Sequence, residues 1–301
     1  MKVLISGATG FIGSHLVPRL LEDGHALIIL TRDAAKARGL FGDRVQVITH
    51  LDQLLCDERL DGIINLAGAG IADKRWSEAH KKTLVDSRVD LTAQINGLIS
   101  RLEHKPDVMI SGSAIGYYGC RSDGLQLDEQ GEVVDDFTHQ LCQRWEAEAL
   151  KAQTQGVRVC LLRTGIVLGD GGALAKMLPA FKLGLGGPVA QGSQWMSWIH
   201  MDDQIESICL LLTHDQFNGA FNLTSPEAVT NAVFSDQLAA ALSRPAWFRV
   251  PAFVIQLLLG QGSDLLVKGQ RVYPQRLLDA GYQFAYPKLS AALKQIIDKP
   301  H

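Results

Sequence analysis

Three glycines spaced three apart, Gly7, Gly10 and Gly13, restrict this chain more than any other feature in it. They follow the apolar run Val3, Leu4, Ile5. They precede Leu16, Val17, Leu20 and Leu21, which recur at helical spacing. Strand, tight glycine turn and helix is the context in which this spacing points to dinucleotide binding. Gly7 permits the sharp turn, Gly10 lets the backbone approach a pyrophosphate, and Gly13 lets the helix pack closely on the strand. The free N–H groups and dipole at the helix start favour the anion. Thr9, Phe11 and Ile12 belong to the same turn and are assigned to the cofactor with the glycines. Pro18 opposes the pattern: inside the helix it removes a hydrogen bond and predicts a mild kink.

The pattern continues as alternating elements. Apolar strands are predicted at 25–30, 46–49, 61–66, 108–113 and 157–163, with long helices at 76–102 and 136–152. Such alternation means a doubly wound parallel α/β sheet. After Gly165 glycine and proline thicken, and Trp195 and Trp198 fall close together. This reads as a smaller, loop-rich cap on the carboxyl edge of the sheet, where ligands of open α/β sheets bind. With 301 residues, 47% of them hydrophobic, the chain can build both parts.

Composition removes several function classes. A net charge of −3 argues against a nucleic-acid binder and against anionic membranes as partners. Cys56, Cys120, Cys142, Cys160 and Cys209 form no CxxC pair and stand beside no histidine at ligand spacing, so reduced thiols and no metal site are expected. No charged segment followed by an apolar one suggests a signal peptide. The longest apolar runs, such as 251–260, are too short to span a bilayer. A soluble cytoplasmic protein is expected.

Cofactor choice is read at the end of the second strand, where an acid selects NAD and a basic residue accommodates the 2′-phosphate of NADP. Thr31 occupies that position and Arg32 follows it. A guanidinium binds phosphate in a bidentate way, so NADP is the expected cofactor. The alternative has Arg32 solvating the edge and Asp33 taking the NAD role. Asp33 lies two residues late and is equally placed to cap the next helix.

These residues together resemble an extended short-chain dehydrogenase/reductase. Gly7-x-x-Gly10-x-x-Gly13 is joined by Asn65-Leu66-Ala67-Gly68 and Ser111-Gly112-Ser113 after later strands. Leu162-Arg163-Thr164-Gly165 and Trp198-Ile199-His200-Met201-Asp202-Asp203 resemble the next two blocks. The loop Gly184-x-Gly186-Gly187-Pro188 and the tail Gly269-Gln270-Arg271-Val272-Tyr273-Pro274 are similar to an atypical branch, the epimerase family proteins of the bacterial YfcH type. The resemblance covers nearly the whole chain. It implies a dinucleotide-binding Rossmann domain over 1–165, its sheet completed by parts of 190–225. It implies a substrate cap over 166–301, with a family-specific tail from about 245. Leu66, Ala67 and Gly68 would form a second cofactor wall, with Arg88 on the following helix facing the cofactor or a substrate anion. A surface pairing with Asp86 is the plainer reading of Arg88.

The extended families imply a Tyr-x-x-x-Lys pair on the helix after the fifth strand, because a phenol near pKa 10 needs help to act as a base. Ser113 matches their substrate-orienting position. The pair itself is missing. Gln140 or Leu141 falls where tyrosine should be, and Arg144 or Trp145 where lysine should be. The atypical branch shares this loss. Tyr117, Tyr118, His139, His200, Asp128 and Glu129 are candidate replacements, each with a packing or capping explanation beside it. Ser113 and Tyr117 are the assigned catalytic candidates. Lys74, Arg75 and Trp76 form a basic aromatic tip, and Gln191, Trp195, Lys268, Arg271 and Arg276 are cap residues within a substrate's reach.

Two functions follow. One is an NADP(H)-binding oxidoreductase or epimerase-like enzyme acting on a small molecule. The other is a catalytically silent NADP(H)-binding sensor or scaffold. A homodimer through the sheet-flanking helices is compatible with both.

Overall fold

The computed structural model describes residues 1–72 and 74–299, the side chains of Leu258 and Leu259 aside. The strands are β1 Lys2–Ser6, β2 Ala26–Leu30, β3 Gln46–Ile48, β4 Gly62–Asn65, β5 Val108–Ala114, β6 Gln126–Leu127, β7 Arg158–Thr164, β8 Ile166–Leu168, β9 Trp195–Met196, β10 Trp198–His200, β11 Gly219–Leu223, β12 Val229–Thr230 and β13 Arg271–Val272. The helices are α1 Phe11–Glu22, α2 Ala34–Phe41, α3 Glu78–Arg101, α4 Phe137–Leu150, α5 Gly172–Lys182, α6 Met201–Thr213, α7 Asn231–Ala241, α8 Ala252–Leu259, α9 Asp264–Val267, α10 Gln275–Asp279 and α11 Leu289–Asp298.

Seven parallel strands form one sheet in the order β11-β7-β5-β4-β1-β2-β3. Both faces are buried, so the strands read as continuous apolar runs. Alternate residues separate the layers. Val3 and Ile5 face α1, α2 and α6. Leu4, Ile63 and Met109 face Ile95, Leu98 and Ile99 of α3 and Ala149 of α4. The apolar stripe of α3 is thus spent on its own sheet. Sheet order reverses beside β1, and the crevice between the carboxyl ends of β1 and β4 is the switch point where such sheets hold ligands.

Helix boundaries differ from the spacing-based ones for local reasons. The long helix starts at Glu78, because the Ser77 hydroxyl accepts from the His80 amide and the Trp76 indole donates to the Ile71 carbonyl. The helix expected at 136–152 starts after Asp136, whose carboxylate caps the His139 amide. It gives way to a 3-10 turn over Lys151–Gln155, closed by left-handed Gly156. Helix α1 runs through Pro18 without a break.

The two-stranded pairs β8–β10, β9–β12 and β6–β13 lie beyond the sheet. The first two pairs share a core with α5, α7 and α11 centred on Trp198, Phe234 and Leu293, and β6–β13 packs Leu127 and Val272 against Tyr118. Segment 198–223 belongs to both parts, since Ile199, Ile208 and Phe221 enter the core under β1.

Candidate dinucleotide cradle and reaction edge

The glycine turn is dictated by close approach. Gly7 has φ +75°, and a Cβ there would stand 2.7 Å from the Ala67 nitrogen and the Leu66 carbonyl carbon. A Cβ on Gly13 would stand 2.3 Å from the Gly7 oxygen. Gly7 therefore joins the first turn to Leu66 and Ala67, and Gly13 seats α1. Gly10 is less constrained from within, with its nearest atom at 3.2 Å. Gly10 also caps α1 with no side-chain bond, which leaves first-turn amides open to an acceptor. Thr9 and Ile12 are half-buried beside it. The Phe11 ring turns towards Gly169, Gly171 and Gly172.

At the end of β2 the two competing residues separate. Asp33 accepts from the Lys36 amide at 2.9 Å as the cap of α2, and its own amide donates to the Thr31 hydroxyl. Arg32 is exposed and has no ion-pair partner among the described residues.

The β4 wall is tied down from below. Ser6 donates to Asn65 at 2.6 Å, and Asn65 donates to Thr92 of α3 at 2.9 Å. Arg88 does not pair with Asp86, which Lys82 holds at 2.5 Å. Its guanidinium donates to the carbonyls of Leu84 and Ala69 and lies 5.3 Å from the Trp145 ring. It crosses Gly68 so closely that a Cβ there would stand 3.0 Å from Cζ. Burial lowers its pKa, and no carboxylate offsets its charge among the described residues.

The reaction edge is closed on itself. Ser113 is buried and donates to Glu146 Oε1 at 2.6 Å. Arg163 grips both oxygens of Glu146 at 2.9 Å. The same guanidinium lies 3.4 Å from the centre of the Tyr117 ring and donates to the Tyr118 hydroxyl and the Glu129 carbonyl. Burial works against the Arg163 charge, but the Glu146 bonds outweigh it and raise its pKa. Tyr118 donates to Asn222 at 2.7 Å, and burial pushes its phenol up to about 12. A phenol so placed is a poor base at neutral pH.

The residues of α4 that the spacing sets at the Tyr and Lys positions are not the ones that bond Ser113. Gln140 and Arg144 are exposed, Leu141 is buried with Trp76 and Leu84, and the Trp145 ring packs against Gly112 while its indole donates to Thr92 at 3.1 Å. Cys142 and Glu146 meet Ser113, one turn apart, the separation of the missing Tyr-x-x-x-Lys pair. Burial pushes the Cys142 thiol up to about 12, so it stays protonated. Glu146 belongs to no motif in the sequence and is found only once the register of α4 against β5 is known.

The remaining candidates serve structure. His139 engages the Tyr117 carbonyl through Nδ1. His200 itself caps α6, its Nδ1 accepting from the Asp202 amide at 3.1 Å. Asp128 accepts from the Gln130 amide. Glu129 accepts from the amides of Asn222 and Arg276, and burial raises its pKa. Arg276 is spent on the Ala220 and Asn218 carbonyls, and Lys268 on Asp264. Arg271 stacks 4.5 Å from the Trp195 ring centre. Trp76 is buried. A cavity of about 350 Å³ lies between the starts of α3 and α4 and segment 261–265, lined by Trp76, Lys81, Asp136, Phe137 and Thr138 among others. Ser113 does not line it. No group of three His, Cys, Asp or Glu among the described residues could hold a metal. None of the described helices is long and apolar enough to cross a membrane.

Parallel sheet, glycine turn and switch-point crevice define a doubly wound protein of the dinucleotide-binding kind. A profile of the NAD dependent epimerase/dehydratase family matches residues 3–224, and a domain of unknown function, DUF1731, matches 250–296. The chain is 40% identical over 304 residues to "Epimerase family protein SDR39U1 homolog, chloroplastic" of Arabidopsis thaliana, covering 99% of this chain and 87% of that one. It is 33% identical over 301 residues to "Epimerase family protein YfhF" of Bacillus subtilis, covering 99% and 98%. The crystal structure of human epimerase family protein SDR39U1 (isoform2) with NADPH matches with a TM-score of 0.89 at 33% identity, covering 100% of both chains. The chain belongs to the NAD dependent epimerase/dehydratase family.

Proposed function

We propose that this protein is an NADP(H)-binding oxidoreductase or epimerase-like enzyme of the atypical YfcH-type branch, acting on a small molecule. The observation that carries the cofactor choice is the division of labour at β2, where Asp33 is consumed by its helix and Arg32 is left open. A human relative crystallised with NADPH supports the same choice. In this reading the amides of Phe11, Ile12 and Gly13 hold the pyrophosphate, with Gly7, Thr9 and Gly10 shaping the turn. Thr31 and Arg32 take the 2′-phosphate. Leu66, Ala67 and Gly68 form the opposite wall, and Arg88 supplies positive charge beside it. When bound, NADP(H) supplies or accepts hydride at its nicotinamide. The cavity between the starts of α3 and α4 offers a small molecule polar and aromatic contacts from Lys81, Asp136, Thr138, Trp76 and Phe137. Ser113 and Tyr117 remain the residues nearest the expected reaction centre.

A second reading is favoured by the Ser113–Glu146–Arg163 cluster, whose polar atoms already satisfy one another. It is an NADP(H)-binding sensor or scaffold without turnover. Both readings need the cofactor, and titration calorimetry tests it. Arg32→Ala should weaken NADPH binding about 100-fold, the size of a charge-assisted contact pair, and leave NADH binding unchanged. Equal losses for both dinucleotides would remove the 2′-phosphate argument.

A further inference from the structure

From the end of β8 into the first residue of α5 the chain reads Gly169-Asp170-Gly171-Gly172, a segment that the cofactor assignment does not use. It wraps the Phe11 ring. A Cβ on Gly169, Gly171 or Gly172 would stand 3.1, 2.8 or 2.7 Å from ring carbons, so only glycines let the backbone lie so close. Gly172 also has φ +58°, which suits glycine. A second link ties the same segment to α1. His15 lies edge-on to Phe11 with ring centres 5.7 Å apart. Its Nδ1 meets the Phe11 carbonyl at 2.9 Å, and its Nε2 stands 3.2 Å from Asp170 Oδ1. A ring nest and a polar link thus hold one short segment against the first turn of α1, where the pyrophosphate is proposed to sit.

We infer that residues 169–172 form a retention strap over the dinucleotide turn, with Phe11 as its seat and His15–Asp170 as its latch. The inference rests on the proposed cofactor binding. The strap lifts for a dinucleotide to leave, and the latch sets how often it lifts. Both latch partners are partly exposed, so the link is weak by design of its surroundings and opens without unfolding the sheet. Strap closure makes cofactor exchange slow compared with binding to an open turn.

Stopped-flow displacement of bound NADPH by excess NADP+ reads this directly. Asp170→Ala and His15→Gln should each speed NADPH dissociation about three- to five-fold, the strength of a partly exposed ion pair. The double variant should do no more than either single one, because both remove the same link. Gly171→Ala, which pushes a methyl into the Phe11 ring, should act more strongly. Thermal unfolding without ligand should be nearly unchanged in Asp170→Ala, which separates the latch from general stability. Off-rates of all three single variants within two-fold of the parent would overturn the strap while leaving cofactor binding intact. A parent protein that binds neither NADPH nor NADH would overturn the cofactor reading and the strap with it.

Discussion

The carboxyl ends of β1 and β5 sit in the same sheet and lead to opposite situations. After β1 the first-turn amides of α1 stand open, as does the Arg32 side chain at the end of the neighbouring β2. After β5, the Ser113 hydroxyl, the Glu146 carboxylate, the Arg163 guanidinium and the Tyr118 phenol are all committed to one another. Open polar groups at a sheet edge are a capacity to bind. Mutually satisfied ones contribute to the fold and offer nothing to a substrate until they separate. The contrast teaches that an open dinucleotide turn and a closed, mutually bonded polar cluster can stand at two strand ends of one sheet.

That contrast can be broken by mutation. The largest effect is expected at Glu146. Glu146→Ala leaves Arg163 buried without its carboxylate and should cost about 3–5 kcal/mol in urea unfolding. NADPH affinity of the folded fraction should stay within a few-fold of the parent; a large loss would mean that the cluster serves the cofactor site. Gly13→Ala should follow, at about 3 kcal/mol, because its methyl meets fixed backbone at 2.3 Å. Unlike the Glu146 variant, it should also abolish measurable NADPH binding by calorimetry, since it displaces the turn itself.

The smallest effect concerns the cap of α4. Burial works against the Asp136 carboxylate, but the Thr138 hydroxyl and the amides of Cys120 and His139 outweigh it and hold its pKa below the ordinary value. A carboxylate lowered on folding stabilises fully above its unfolded pKa, about 4, and loses that contribution as pH falls through the folded value. Asp136→Ala should therefore cost about 1 kcal/mol near neutrality, with the deficit shrinking in acid. Paired unfolding curves at pH 7 and pH 3 check the sign; a deficit that grows in acid would show that the lowered pKa is not what the cap contributes.

The sheet was legible because burial on both faces makes each parallel strand a continuous apolar run. The glycine turn was legible because its three positions meet backbone or leave room for a ligand, and nothing else satisfies that spacing. The Asp33 cap was legible as one of two options, and local hydrogen bonding chose between them. The reaction edge was less legible. Ser113 was found from its strand, but its partners come from α4 and β7, 33 and 50 residues away along the chain, at a helix register that spacing from the strand did not fix. Arg88 was singled out, yet its contacts depend on Gly68 having no side chain, a condition set across two elements. The Phe11 nest was missed for the same reason: its glycines follow the eighth strand, far from the ring they enclose.

A crystal structure of this protein with NADPH tests the central claim most directly. The account predicts the pyrophosphate over the amides of residues 11–13, the 2′-phosphate against Arg32, and Ser113 still hydrogen-bonded to Glu146. A Ser113 hydroxyl turned away from Glu146 onto the nicotinamide, with Arg163 released, would contradict the closed reaction edge.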